Sequence, residues 1–126
     1  MNAIETKNLT KKYQNKKVVN NVNLAVKEGT IFGFLGHNGA GKSTFINMVT
    51  GLCKPSNGTY TLNVKNKNEI GVLPDYSAFY NDMTGKAHVK YFCRILNLNI
   101  SEREIENLFK SIGLEKGLNL KVKKYS

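Results

Sequence analysis

A glycine-rich run places the strongest constraint on the fold of this chain. It follows an apolar segment, residues 31–35, and precedes Phe45, Val49 and Leu52, which recur at helical spacing. An apolar run without alternation is typical of a strand buried on both faces of a largely parallel sheet. The order of strand, glycine-rich loop and helix therefore predicts an α/β fold.

The run matches the pattern G-x-x-x-x-G-K-[ST], which is typical of a phosphate-binding loop between a strand and a helix. Its glycines permit backbone conformations in which successive N–H groups converge on phosphate oxygens, and the helix that follows adds the positive end of its dipole. Lys42 is placed to neutralise the β- and γ-phosphates, and the Ser43 hydroxyl to ligate Mg²⁺. We predict that a nucleoside triphosphate, in the simplest case Mg-ATP, contacts Gly36, His37, Asn38, Gly39, Ala40, Gly41, Lys42, Ser43 and Thr44. Within this set His37 is interpreted as a spacer that contributes its backbone.

Patterns elsewhere predict further strands and two more helices. Residues 4–9 and 18–26 are expected to pair in a sheet with one solvated face, and residues 59–64 and 70–73 to form later strands. A helix is predicted over residues 84–96. The next helix is expected to start with a capping box made by Ser101 and Glu104, and to stop at Gly113.

Composition narrows the class of protein. The 126 residues fit one small domain or a piece of a larger one, and the 40% apolar and 22% charged contents are those of a folded chain. The net charge of +10 comes from scattered basic residues without interleaved aromatic side chains, so a nucleic-acid partner is not expected. No apolar run approaches the ~20 residues of a membrane span, and a cytoplasmic chain is expected. Cys53 and Cys93 are expected to be reduced thiols in the core.

The residues around the loop carry a family resemblance. GHNGAGKST, with the apolar run before it and Thr50-Gly51-Leu52 and Pro55-Ser56-Asn57-Gly58 after it, closely resembles the ATP-binding subunits of ABC transporters. Residues 9–13 look like the opening segment of that family. Residues 70–75 look like the approach to its Q-loop, and residues 83–89 resemble the start of its helical subdomain.

The resemblance implies a fold and several residue roles. The fold would be the P-loop NTPase fold of ABC type in partial form, with an antiparallel β subdomain and a parallel-rich core sheet. Residues 1–126 would be one N-terminal part of the ATP-binding domain, with the β and P-loop core in residues 1–78 and the helical subdomain starting in residues 79–126. Tyr13 matches the aromatic residue that stacks on adenine. Asp75 stands at the Q-loop position, where a carboxylate could ligate Mg²⁺, and Lys42 would be the catalytic lysine.

The resemblance also implies partners and activity. Such a subunit couples ATP hydrolysis to transport, here in the manner of bacterial exporters of drugs or antimicrobial peptides. It would lie on the cytoplasmic face of the membrane, bound to a transmembrane permease subunit and to a second ATP-binding subunit.

The sequence departs from the family pattern in two places. The stretch 59–69 is shorter than usual, and residues 121–126 look like the run into the signature sequence, with Ser126 as its first serine. The acidic magnesium-binding strand, the catalytic glutamate and the switch histidine are not among these residues. We therefore expect the N-terminal part of a longer subunit, which binds ATP weakly, hydrolyses it negligibly and exposes a sheet edge.

Three alternatives stay open. A small GTPase is suggested by Asp82-Met83-Thr84-Gly85, which fits D-x-x-G, although no N-K-x-D follows at a suitable distance. A non-transport ABC protein would share the loop and suit the basic charge. A nucleotide-binding remnant without hydrolysis is the third alternative.

Overall fold

The computed structural model describes residues 1–73 and 79–125, and the chain divides into one unit of residues 1–72 and a second that begins at Leu73. The first unit contains a three-stranded sheet and one helix, and the second contains two helices. Asp75 and Ser126, which carry two of the sequence predictions, lie outside the described residues.

The sheet of the first unit is antiparallel throughout. Its strands are β1 (Asn2–Tyr13), β2 (Lys16–Lys27) and β3 (Asn57–Leu62), in the order β2-β1-β3. The three strands confirm the predictions for residues 4–9 and 18–26, and the strand predicted over residues 59–64 begins earlier and ends at Leu62. β1 and β2 are joined by a two-residue turn, so the central strand finds its first partner a few residues along the chain.

Asparagines and threonines shape the irregular pairing of β1 with β2. The register shifts on both sides of Leu9, and Asn8 and Asn21 each adopt a φ of 50°. Asparagine tolerates this left-handed conformation better than most residues. Buried Thr10 satisfies its hydroxyl by bonding the side chain of Asn21 at 2.9 Å, and Thr6 donates to the carbonyl of Val22 at 3.0 Å.

The core of the first unit lies between the sheet and helix α1 (Lys42–Val49). Its buried members are Leu9, Val19, Phe45, Met48 and Val49. The helix ends where Gly51 takes a φ of +81°, a conformation that favours glycine. The helical spacing of Phe45 and Val49 in the sequence is thus confirmed as the buried face of α1.

The prediction of a parallel-rich core sheet is wrong for the part of the chain that the structure describes. Residues 31–35 and 70–73 lie outside any strand, and Ile31, Leu35 and Leu73 are largely exposed, at 105%, 93% and 84%. A doubly buried strand requires hydrogen-bonding neighbours on both edges. In residues 1–73 the three strands are already joined in the antiparallel sheet, so these apolar runs have no such neighbours.

The second unit contains helices α2 (Gly85–Ile95) and α3 (Glu102–Ser111). Thr84 caps α2 by accepting the N–H of Ala87 at 3.1 Å. The predicted capping box of α3 is present, because the Ser101 hydroxyl accepts the N–H of Glu104 and the Glu104 carboxylate accepts the N–H of Ser101. Both helix starts are therefore fixed by side chains next to them in sequence.

Both helices of the second unit also stop through local hydrogen bonds. After α3, Gly113 takes a φ of 71°, its N–H reaches Lys110 O, and the N–H of Leu114 reaches Phe109 O at 2.8 Å. Asn97, with a φ of 54°, ends α2 through the equivalent pair of bonds. This is the Schellman arrangement, and it confirms Gly113 as a predicted stop.

The buried residues of the second unit include Ile105, Phe109 and His88. Tyr125 donates its hydroxyl to the carbonyl of Gly117 at 2.5 Å and lies directly beside Gly85. His88 accepts the N–H of Tyr80 at 2.8 Å through Nε2. No helix in residues 1–73 and 79–125 combines the length and apolar character that a membrane crossing requires.

Candidate nucleotide-binding site

Two glycines of the loop adopt left-handed backbone conformations. Gly39 and Gly41 have φ angles of 80° and 92°, and Gly41 is the N-cap residue immediately before α1. Neither of their N–H groups is hydrogen-bonded to another described residue. Together with the unpaired donors of the first helical turn, these amides can bind an anion.

Gly41 seats the loop on the sheet. A Cβ atom at this position would lie 2.3 Å from the carbonyl oxygen of Val18 on β2, closer than any real contact. Glycine is therefore needed here both for its positive φ and for its missing side chain. The start of α1 is held directly against β2 as a result.

Lys42 folds back over the loop. Its ammonium donates to the carbonyl oxygens of Gly36 and His37, each at 2.7 Å, and His37 O also accepts the N–H of Ala40 at 3.1 Å. The positive charge is thus held within the turn of the loop, on a half-buried side chain. The hydrogen bonds of His37 are made by its backbone, while the residue itself is exposed.

The remaining loop residues lie at the surface or in the first turn of α1. Asn38 is exposed, Ser43 is exposed in the first helical turn, and Thr44 follows it in a half-buried position. The Ser43 hydroxyl makes no hydrogen bond to any residue in the described ranges. A free hydroxyl beside an anion site fits Mg²⁺, which prefers oxygen ligands and retains several waters.

Tyr13 ends β1 at the tip of the β1–β2 hairpin, in the same unit as the loop. Tyr13 pairs with Lys16 of β2. Lys16 is two residues from Val18, which contacts Gly41, so Lys16 and Val18 are roughly 7 Å apart at the rise of a strand. The Tyr13 ring is 50% exposed. The structure therefore brings the predicted base and phosphate contacts to one end of one sheet.

The Tyr13 hydroxyl contacts the thiol of Cys53, and no sequence motif links these two residues. Tyr13 Oη lies 3.6 Å from Cys53 Sγ, and this hydrogen bond raises the pKa of Tyr13 and lowers the pKa of Cys53. Lys11 Nζ lies 5.1 Å from the centroid of the Tyr13 ring. The prediction that both cysteines are core thiols is wrong, since Cys53 and Cys93 are half-buried.

An open cleft of about 280 Å³ lies beside Gly41, between β2 and residues 34–35. Its lining is mostly apolar, with Val19, Phe34 and Phe45 among the residues, although Lys42 also borders it. Ala40 and Gly41 of the loop border it too, so it adjoins the phosphate loop, and its apolar side chains offer no donors to an anion. The exposed amides of the loop itself are the better anion site.

Comparisons with known proteins agree with this geometry. The sequence model of the ABC transporter family matches residues 19–126. The chain is 33% identical to the uncharacterized ABC transporter ATP-binding protein YcbN of Bacillus subtilis and 35% identical to the bacitracin transport ATP-binding protein BcrA of Bacillus licheniformis. Each match covers 98% of this chain and 42% of the relative.

Solved structures give the same assignment. The structure of an ATP-binding subunit of an ABC transporter superposes with a TM-score of 0.77 at 26% identity, over 98% of this chain and 56% of that one. An ATP-binding protein of an ABC transporter from Pyrococcus furiosus, at 20% identity, has the same fold with a TM-score of 0.80 over 98% of this chain and 62% of its own. The chain therefore has an ABC ATPase fold, and it belongs to the ABC transporter family of ATP-binding proteins.

Proposed function

We propose that this chain binds Mg-ATP through residues 36–44 and supplies the phosphate cradle of a transporter ATPase. The observation that carries the proposal is the arrangement of the loop, which is seated on β2 at Gly41 and holds the Lys42 ammonium across its opening. Free amides, a lysine and a helix N-terminus converge there. No other surface of the first unit combines these groups among the residues described.

In this proposal each loop residue has a distinct task. The amides around Gly39 and Gly41 hold the phosphate oxygens, and Lys42 exchanges its two carbonyl partners for the β- and γ-phosphates. Ser43 ligates Mg²⁺, with Asp75 as a second candidate ligand. When bound, the metal ion supplies charge neutralisation between the two terminal phosphates.

Tyr13 is proposed to bind the adenine ring by stacking. Its half-exposed ring stands at the end of the hairpin that also seats Gly41. A flat aromatic face suits any base, and stacking stabilises nucleic-acid bases on proteins by ~1–3 kcal/mol each. The triphosphate would then run from the hairpin tip to the start of α1.

The activity of the complete protein is a further proposal, because the chain spans about 42% of the length of the two Bacillus relatives. We propose an ATP-binding subunit at the cytoplasmic face that couples hydrolysis to transport, with a permease subunit and a second ATP-binding subunit as partners. The likeness to a bacitracin transport protein supports export of a drug or antimicrobial peptide.

The 126-residue chain alone is proposed to hydrolyse ATP negligibly. Phosphoryl transfer also requires a group that orients the attacking water. In the loop, the exposed side chain of His37 makes no hydrogen bond to a described residue that would position it as a base. Sustained phosphate release by purified chain, lost in Lys42→Ala, would contradict this statement.

The small GTPase alternative is not supported. Asp82 of the D-x-x-G match is bound by Lys123 at 2.6 Å and Lys121 at 3.5 Å, which lower the pKa of its carboxyl. Gly85 of the same match is the first residue of α2. Both positions therefore have structural roles, and a tenfold excess of GTP should displace labelled ATP no better than unlabelled ATP does.

Binding of Mg-ATP to the purified chain, measured by calorimetry, tests the proposal. Lys42→Ala should weaken binding at least about tenfold, because a charge-assisted hydrogen bond contributes ~1.5–3 kcal/mol. Lys27→Ala is the matched control, since it removes one positive charge from the far end of β2. Equal loss in the two variants would show that net charge, and not the loop, attracts the nucleotide.

A further inference from the structure

Four contacts hold the side chain of Tyr13 in a closed arrangement. The Tyr13 hydroxyl lies 3.6 Å from Cys53 Sγ, and the thiol lies 3.6 Å from the carbonyl oxygen of Lys54. The same carbonyl accepts the ammonium of Lys11 at 2.6 Å. That ammonium lies 5.1 Å from the centroid of the Tyr13 ring. Tyr13, Cys53, Lys54 and Lys11 thus form a closed circuit of contacts.

This arrangement fixes a ring that would otherwise rotate freely at the surface. A tyrosine side chain has two rotatable torsions, and ordering it on ligand binding costs free energy. Here the hydroxyl is tied at one end and a cation lies over the ring, an interaction that stabilises exposed sites by ~0.5–1 kcal/mol. The ring is nonetheless 50% exposed, so it retains surface for a ligand.

Cys53, which contacts the Tyr13 hydroxyl, is connected to the phosphate loop through α1. The N–H of Cys53 donates to the carbonyl of Asn47 in α1 at 3.0 Å, and Gly41 is the N-cap residue of α1. On the other side, the N–H of Ser56 donates to Thr10 O on β1 at 2.8 Å. Residues 53–56 therefore join the end of the hairpin to the helix that carries the phosphate-binding amides.

We propose that Lys11 and Cys53 are positioning residues for the Tyr13 ring, and that recognition of the base of the nucleotide depends on the thiol at position 53. The inference rests on the proposed function, because it assumes that Tyr13 stacks on the base. The base would use the ring surface that Lys11 leaves open. Disturbing the thiol should then weaken binding of the base and leave binding of the phosphates unchanged.

The electrostatics agree with this geometry. The hydrogen bond from the Tyr13 hydroxyl lowers the pKa of Cys53, and Lys11 lowers it further. A thiol with a lowered pKa has a larger thiolate fraction at neutral pH and reacts faster with alkylating agents. Iodoacetamide is therefore a suitable probe, since the thiolate forms a thioether and iodide leaves.

Comparison of two ligands separates the base from the phosphates. Mg-ATP carries both, whereas magnesium tripolyphosphate carries the phosphates alone. Lys11→Met and Cys53→Ala should each weaken ATP binding about two- to fivefold, the size of an exposed cation–π or a single neutral hydrogen-bond contact, and leave tripolyphosphate binding unchanged. Tyr13→Ala should weaken ATP binding at least about fivefold.

Matched variants control for charge, thiol content and folding. Lys7→Met removes a β1 lysine outside the circuit, and Cys93→Ala removes the cysteine of the second unit. Lys11→Arg keeps the cation and should restore most of the ATP affinity. Tyr13→Phe keeps the ring but removes the hydroxyl that reaches the sulfur, so it tests the same contact if Cys53→Ala fails to fold.

Alkylation of Cys53 provides an independent test of the thiol without a substitution at position 53. In the Cys93→Ala background, iodoacetamide should reduce ATP affinity by at least the factor seen for Cys53→Ala, and should spare tripolyphosphate. Alkylated and untreated protein are compared at equal helical circular dichroism, which excludes unfolding as the cause.

The outcomes separate this inference from the proposed function. If neither ligand binds, or if Lys42→Ala leaves both affinities unchanged, the phosphate site itself is wrong. If Lys42→Ala weakens both ligands and Tyr13→Ala weakens ATP alone, the site stands. In that case unchanged ATP binding in Lys11→Met, Cys53→Ala and Tyr13→Phe would overturn the positioning role.

Discussion

The strands of the first unit and the apolar run at residues 31–35 both contain leucine, but they differ in how deeply it is buried. Leu9 on β1 is completely buried, while Leu35, the last residue of the run, is 93% exposed. β1 has β2 on one edge and β3 on the other. In the described part of the chain, residues 31–35 are not paired with any strand. Apolar composition alone therefore does not make a strand, because a strand requires a partner for its backbone.

Replacing one leucine by alanine in each region gives the strongest test of this contrast. Leu9→Ala should lower the free energy of unfolding by about 2–5 kcal/mol, since it leaves a cavity between the sheet and α1. Leu35→Ala should change it by less than about 0.5 kcal/mol. Urea unfolding followed by circular dichroism measures both values, and equal losses would show that Leu35 is packed.

The loop between the two regions gives the next largest effect. Gly41→Ala should destabilise the first unit by about 1–3 kcal/mol, because the new methyl group meets the Val18 carbonyl at a strained φ. Gly39→Ala has the same positive φ but open space around it, so it isolates the cost of the backbone conformation. Thermal unfolding of the pair should show the larger loss for Gly41→Ala, and the reverse order would contradict the close packing on β2.

The second unit extends the comparison to helices, whose hydrogen-bonding partners are local. Ser101→Ala should cost about 1 kcal/mol through loss of the capping box, while Ser111→Ala at the other end of α3 should have a smaller effect.

Lowering the pH should test the same capping box at the start of α3. Hydrogen bonds from the Ser101 side chain and backbone lower the pKa of Glu104, so its stabilising contribution is present above the ordinary pKa of a glutamate. It is lost as the pH falls through the lowered value. Glu104→Gln should therefore reduce the acid-induced loss of helical circular dichroism, and an unchanged pH profile would argue against the box.

The smallest expected effect concerns the exposed run itself. Ile31→Ser should alter stability by less than about 0.5 kcal/mol, because the side chain is fully exposed. It should also reduce self-association, since exposed apolar segments promote it. Light scattering and urea unfolding of the same samples check the two parts, and a loss above 1 kcal/mol would mean that Ile31 is buried in solution.

Sequence patterns predicted those parts of the fold whose causes are local. Ser101, Glu104 and Gly113 act on residues within a few positions, and the hairpin strands alternate because one face meets α1. Residues 70–73 were predicted wrongly for the same reason that residues 31–35 were. Their apolar character was clear from the sequence, but the presence of a neighbouring strand could not be read from it.

In the candidate site, too, the local features could be predicted from the sequence and the contacts between distant residues could not. The glycines, Lys42 and Ser43 follow from a contiguous pattern, because the loop and the helix that bind the anion are adjacent in the chain. The contact of Tyr13 with Cys53 joins residues 40 positions apart, and no spacing rule predicts it. Nor does the pattern reveal that Gly41 packs against Val18.

The local capping at both ends of α2 and α3 has a consequence for how fast these helices form. Each helix has a side-chain cap at one end and a left-handed residue with paired amides at the other, so its length is set without help from distant residues. Segments with such low contact order form in microseconds to milliseconds. Residues 84–114 should therefore acquire their helices early in folding, before the strands of the first unit have completed their pairing.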